Sequence, residues 1–194
     1  MTLTPPPPGV EAILISLVLG AAVYDIRYRR IPNWLTAGGV LAGLAMNSFV
    51  GDWRTPSAAN SQIWPGLRLS LEGFVIAFAI NLVLYALHAR GAGDVKLMAA
   101  IGAMVGWEDW FGIFVVSAVF GGLISLILVL LKKRATTTFW NVGFILSEMS
   151  SGRAAYLKRE DLDVKSEKAL RVPAGAVIAI GTLFFLGASA YFTR

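Results

Sequence analysis

The sequence is poor in the residues that build disulfides, metal sites and soluble surfaces. It has no cysteine and one histidine among 194 residues, so disulfides, thiolate zinc sites and cysteine nucleophiles are excluded. Because a hydrolytic metal site of the HExxH kind needs two histidines, we predict no metal and no cofactor. Charged residues make up 15% and hydrophobic residues 56% of the chain, whereas soluble domains carry about 25% charge. The composition therefore indicates a membrane protein.

Long uncharged stretches predict an all-α, polytopic membrane bundle of about six transmembrane helices. The predicted spans lie at roughly 10–28, 34–50, 67–89, 97–106, 111–131 and 173–192. The fourth run is short for a hydrocarbon core of about 30 Å, so we expect it to extend toward Trp107 and Trp110. We predict one membrane-embedded domain over residues 1–194, in which residues 132–172 form a basic cytoplasmic segment.

The distribution of basic residues predicts the orientation. If the N-terminus lies outside the cytoplasm, 14 of the 17 Lys and Arg residues fall on the cytoplasmic side, as the positive-inside rule requires. In such a chain the formal charge of +5 reports topology and contact with lipid, and we predict no nucleic-acid partner. The sequence does not indicate an oligomeric state.

Three carboxylates lie in or beside apolar helices, where ionisable groups are costly and mark functional sites. The predicted topology places Asp25 and Asp94 at the inner ends of two spans and Glu72 about 26 Å from the inner end of a third. Two carboxylates at a wet boundary can share a proton, so that one activates water while the other donates a hydrogen bond to a peptide carbonyl. In the structural alternative, Asp94 caps its helix and Asp25 pairs with Arg29.

Two short motifs surround these aspartates. Residues 91–96 read GAGDVK, a GxGD signature followed by a lysine, and residues 25–33 read DIRYRRIPN, an aspartate followed by IPN. In this order, at the inner ends of spans one and four, they resemble the motifs of the type IV prepilin peptidases, which are polytopic GxGD aspartyl proteases. The resemblance covers most of the chain, and its specific signal is confined to these two stretches.

The resemblance implies a bacterial inner-membrane endopeptidase that removes short basic leaders from prepilin or pseudopilin precursors at the cytoplasmic boundary. It implies that Asp25 and Asp94 are the catalytic pair, without assigning the acid and the base. It also implies that Gly91, Gly93 and Lys96 are substrate-binding residues. Bifunctional members of the family also N-methylate their product and carry an insertion between the first two spans. This sequence has only a short turn there, so it resembles the short Tad/Flp-type members, and we do not expect methyltransferase activity.

Other functions and other polar residues are also considered. A proton-coupled transporter using the two aspartates as relay groups, or a non-enzymatic scaffold of a pilus or secretion machine, is the alternative to a peptidase. The ion-coupling groups of transporters usually lie near the bilayer midplane, between two repeated halves of the protein. No such repeat is evident in this sequence. We expect His88 to be an interfacial polar residue, and Glu72 and Asn81 to satisfy hydrogen bonds between helices.

Overall fold

A computed structural model describes residues 5–54, 63–87, 89–131 and 173–192. This part of the chain is helical throughout, as predicted, and contains no strand. Its five helices are α1 (Pro8–Tyr28), α2 (Asn33–Val50), α3 (Ile63–Ala86), α4 (Ala92–Leu131) and α5 (Ala174–Phe192). The predicted basic segment 132–172 lies outside the described residues. Among the described residues, those up to Phe120 and those from Pro173 onward belong to one compact unit, and residues 121–131 belong to a second.

Prolines and a left-handed residue set the boundary between the first two helices. Pro8 opens α1 in the first turn, where its missing N–H costs no hydrogen bond. The helix ends at Arg29, which adopts the left-handed conformation with φ 52° and whose N–H donates to the Asp25 carbonyl. Pro32 then precedes α2 in an extended conformation. The connection between the two helices is therefore limited to residues 29–32.

Four of the five helices are long and apolar enough to cross a membrane, namely α1, α3, α4 and α5. Many large hydrophobic side chains on these helices are exposed to the surroundings of the protein, among them Val23, Val75, Leu126 and Phe184. Exposed apolar surface on this scale marks contact with a membrane or a partner. The chain is a membrane protein, while the count of six spans and the side of the N-terminus stay predictions.

The longest helix, α4, is interrupted in its middle. Gly106 has φ 79° and ψ 173°, which is not helical and which a residue with a Cβ rarely adopts. The interruption divides α4 into a short first segment, 92–105, and a second segment, 107–131. The first segment is buried on every side from Leu97 onward, which identifies it as the centre of the bundle.

Residues 107–120, which follow the interruption, fold back along the first segment of α4. The guanidinium carbon of Arg90, just before α4, lies 5.1 Å from the ring centre of Phe114. In an unbroken helix two positions so far apart in sequence would be separated by about 36 Å, well beyond the reach of an arginine side chain. The residues around the fold-back also pack on α5, where the side chains of Phe120 and Phe184 meet edge to face at 5.4 Å.

The interruption leaves carbonyl groups without helical partners, and two buried side chains bind them. The Asn47 amide donates to the carbonyls of Ala103 and Met104 at 3.2 and 2.9 Å, and the Ser70 hydroxyl donates to Ala103 at 2.6 Å. Asn47 also donates to the Ser70 oxygen at 2.9 Å. Asn47 and Ser70 are fully buried, so they cap the first segment where water has no access.

Small residues allow α4 to approach its neighbours closely. A Cβ on Gly43 of α2 would lie 2.8 Å from the Ala103 carbonyl, and one on Gly73 of α3 would overlap the Gly102 carbonyl. At these contacts Gly102 and Ala103 of α4 meet α2 and α3. Helix α1 packs on α5 and α2, and its buried residues form an apolar stripe of Val10, Leu14, Leu17, Val18 and Ala21.

The capping role of Asn47 predicts a specific loss of stability. We expect Asn47→Leu to lower the free energy of unfolding by about 1–3 kcal/mol, because it leaves buried carbonyls without donors. Thermal unfolding of the purified protein in detergent measures the change. Ser48→Ala is the matched control, since among the described residues the Ser48 hydroxyl binds the Leu44 carbonyl of its own helix. This variant should change stability by less than about 0.5 kcal/mol. Equal stability of the two variants would contradict the capping role.

Candidate active site

Four helix termini meet at one end of the first unit, here called the motif end. Helix α1 finishes there, and helices α2, α4 and α5 begin there. The residues of both sequence motifs lie on these termini or on the turns beside them. Helix N-termini present unpaired backbone N–H groups and partial positive charge, so this end of the molecule is suited to hold carboxylates.

Direct contacts join the two motifs. The site for a Cβ on Gly93 lies 3.4 Å from the Cβ of Ile31, which shows that the IPN turn packs on the GxGD loop. The Lys96 ammonium donates to the Asn33 side-chain oxygen at 2.8 Å. Segments more than sixty residues apart in sequence are thereby held together. The structure thus brings together the two stretches that the sequence analysis singled out.

Asp25 is fixed by a residue that the sequence analysis did not identify. Its Oδ2 accepts a hydrogen bond of 2.7 Å from the backbone N–H of Gly175, in the first turn of α5. A Cβ on Gly175 would lie 3.0 Å from the Asp25 Cβ and 3.1 Å from its Oδ2, so the approach depends on glycine. No ion pair links Asp25 to Arg29 among the described residues, and the expected alternative pairing is therefore not formed.

Asp94 contacts the start of its own helix. It is the third residue of α4, and its Oδ2 accepts from the Gly91 N–H at 3.3 Å, the reciprocal half of a capping box. This is a weak bond, so the structural alternative for Asp94 is present only in part. Arg90 and Asp25 both lie within the range of a Coulomb interaction with Asp94. The two aspartates therefore lie near each other at the motif end.

The predicted substrate-binding residues differ in their surroundings. Gly91 and Lys96 are exposed, whereas Gly93 is half-buried against Ile31. The Lys96 side chain binds Asn33, so the contact that the structure shows for Lys96 joins the GxGD motif to the IPN motif. Within the described ranges no three His, Asp or Glu side chains are grouped so that they could hold a metal ion.

Other polar residues have partners that the sequence did not predict. Glu72 is half-exposed and accepts from the exposed Arg68 on the same helix at 2.6 Å. In the described part of the chain it forms no bond to another helix. Asn81 is fully buried, donates to the Ala77 carbonyl of its own helix and accepts from Arg90. His88 lies outside the described residues.

Comparison with known proteins connects this geometry to a family. Residues 12–126 match the model of the type IV leader peptidase family, a range that includes both motifs and most of α4. The chain is 31% identical over 129 residues to a prepilin leader peptidase/N-methyltransferase of Pectobacterium carotovorum subsp. carotovorum, covering 64% of this chain and 43% of that protein. No solved structure matches.

Two further relatives carry the same description. The identity is 27% over 137 residues with the protein of Aeromonas salmonicida (strain A449), covering 69% of this chain and 44% of the relative. It is 25% over 123 residues with that of Myxococcus xanthus (strain DK1622), covering 63% and 35%. The matches thus span less than half the length of these relatives. Since the family model matches more than half of this sequence and contains both motifs, the chain belongs to the type IV leader peptidase family.

Proposed function

We propose that the protein is a membrane aspartyl endopeptidase that removes the short basic leader from prepilin-like precursors. The observation that carries this proposal is the contact between the two motifs, which gathers Asp25 and Asp94 at one end of the helices. Relatives described as prepilin leader peptidases support the substrate class. The transporter and scaffold alternatives are not favoured by these relatives.

The proposed chemistry needs only the two carboxyl groups and water. The ionised aspartate takes a proton from water as the water oxygen attacks the carbon of the scissile carbonyl. The protonated aspartate donates a hydrogen bond to the carbonyl oxygen. The tetrahedral intermediate then collapses and the C–N bond breaks. The leaving amine takes the proton that the first aspartate received from water, and the second aspartate keeps its own proton as the carbonyl forms again. Because the pair titrates as a unit, neither residue is assigned a fixed role.

The proposed topology has six membrane-crossing segments with both termini outside the cytoplasm, in a bacterial inner membrane. The interruption at Gly106 supports this count, because it divides α4 into two segments. The excess of Lys and Arg on the predicted inner side supports the orientation. The motif end then lies at the cytoplasmic boundary, where a basic leader would be presented.

The proposed substrate is an extended leader joined to a hydrophobic helix. The helix would lie in the bilayer, and the leader must be extended, because a helical backbone hides its carbonyls from attack. Gly91 and Gly93 have no Cβ and so leave room for a strand beside Asp94. Lys96 is proposed to keep the GxGD loop against Asn33 while this strand binds.

The first functional prediction concerns the two aspartates. Asp25→Asn and Asp94→Asn should each abolish cleavage of a pilin-like precursor while the purified protein keeps its thermal unfolding profile, because an amide cannot replace a carboxyl group in proton transfer. Glu72→Gln is the matched control and should cleave normally, since Glu72 is half-exposed on α3. Near-normal cleavage by either Asn variant would remove that aspartate from the mechanism.

The contact between Gly175 and Asp25 yields a second prediction. Gly175→Val should reduce cleavage by at least tenfold, because its side chain would displace the Asp25 carboxyl group. Gly187→Val on the same helix is the control, since a Cβ there meets no atom within 4 Å. Cleavage rates and thermal unfolding are measured for both variants. Equal cleavage by the two would show that the α5 terminus does not position Asp25.

A third prediction concerns methylation of the product. Residues 29–32 alone connect α1 and α2, so we propose that this chain cleaves precursors without N-methylating them. Mass spectrometry of the product formed with added S-adenosylmethionine should detect an unmodified N-terminus. A product heavier by one methyl group, formed by the purified enzyme, would contradict this proposal.

A further inference from the structure

Arg90 occupies an unusual position for a cation at the edge of a membrane helix. It directly precedes the GxGD loop, yet its side chain extends toward buried residues and is only partly exposed. Its Nη1 donates to the side-chain oxygen of Asn81 at 3.1 Å, and its guanidinium lies over the ring of Phe114 at 5.1 Å. A side chain whose only role was to report topology would extend into water.

The partners of Arg90 are themselves fixed. Asn81 is fully buried, and its amide nitrogen donates to the Ala77 carbonyl at 2.8 Å, which leaves the amide oxygen to accept from Arg90. Phe114 belongs to the second segment of α4, and its ring packs at a tilt against that of Trp110, which is fully buried. The guanidinium is therefore held between α3 and the fold-back of α4 by a hydrogen bond and a cation–π contact.

The charge held in this way acts on Asp94. The Gly91 N–H donates to the Asp94 carboxylate, and Arg90 and Asp25 both lie within the range of a Coulomb interaction with it. Among the other basic residues at the motif end, Lys96 binds Asn33 of α2, and Arg29 and Arg30 lie exposed on the turn between α1 and α2. Helix α5 contributes the Gly175 N–H to Asp25. Burial lowers the pKa of the Arg90 guanidinium, but an arginine remains charged in proteins. Arg90 and Asp94 form no direct ion pair in the described part of the chain.

We propose that Arg90 is a positioning residue of the aspartate pair, clamped by Asn81 and Phe114 so that a fixed positive charge stands beside Asp94 and favours the singly ionised pair. The inference rests on the proposed peptidase function. It assigns a purpose to Asn81, a buried polar residue whose other bond in the described part of the chain goes to the Ala77 carbonyl of its own helix. It also explains how the fold-back of α4 contributes to the motif end.

The pH dependence of cleavage tests the proposal. Removing a positive charge makes ionisation of the pair less favourable, so the acid limb of the kcat/KM profile of Arg90→Gln should move to higher pH by about one unit. Arg90→Lys keeps the charge and should stay closer to the unmodified enzyme. Arg68→Gln, which removes an exposed arginine on α3, is the matched control and should leave the limb in place. Asn81→Leu keeps the positive charge of Arg90 but removes the hydrogen bond that holds it in place. This variant should move the acid limb to higher pH by less than Arg90→Gln does.

Each outcome decides the proposal. An unmoved limb in Arg90→Gln, or identical limbs in the Gln and Lys variants, would overturn it even where overall activity falls. If Arg90→Gln does not fold, the comparison of Asn81→Leu and Phe114→Leu with Arg68→Gln serves the same purpose. The proposal would be overturned if the acid limb shifts neither in Asn81→Leu nor in Phe114→Leu.

A second measurement separates this inference from the proposed function. In a double-mutant cycle of Arg90→Gln and Asp94→Asn, the coupling in thermal stability should be favourable at neutral pH and should vanish at acid pH, where Asp94 is protonated. This readout does not require cleavage. If the unmodified protein cleaves no precursor, the peptidase proposal fails while the cycle still decides the role of Arg90. Coupling that is absent or independent of pH would contradict it.

Discussion

The interruption of α4 at Gly106 is the constraint on which the rest of the structure depends. Inside an apolar bundle, a broken helix leaves carbonyl groups that water cannot reach, and each must find a protein donor. Asn47 and Ser70 supply these donors from α2 and α3. Their position requires that both helices come very close to α4, which explains why small residues lie along the contact.

The same interruption determines what reaches the motif end. Because the chain turns at Gly106, the second segment of α4 returns far enough to place Phe114 over Arg90. The first segment stays short and buried, with its N-terminus at the GxGD loop. A feature near the opposite end of the helices thus contributes to the surroundings of Asp94. The capping of the first segment of α4 and the surroundings of the proposed catalytic pair therefore both depend on the interruption of this one helix.

The sequence predicted the helical class, the family and four helices to within a few residues, because long apolar runs and two motifs carry local signals. It could not predict the contact between Gly175 and Asp25, which joins residues 150 positions apart through a backbone N–H. It also predicted Arg90 only as a marker of topology, since nothing local indicates that this side chain extends inward. Asp25 and Arg29 had the spacing of an ion pair, but α5 provides a donor closer to Asp25.

The two aspartates are held in physically different ways, and this difference bears on how the proposed pair is maintained. Asp94 binds the Gly91 N–H three residues before it, so its orientation follows from the local path of the GxGD loop. Asp25 depends on the docking of α5, because its donor belongs to that helix. Loss of packing between α1 and α5 would therefore release Asp25 while leaving Asp94 in place. The stripe of apolar residues on α1 consequently supports the geometry of the proposed site as well as the stability of the fold.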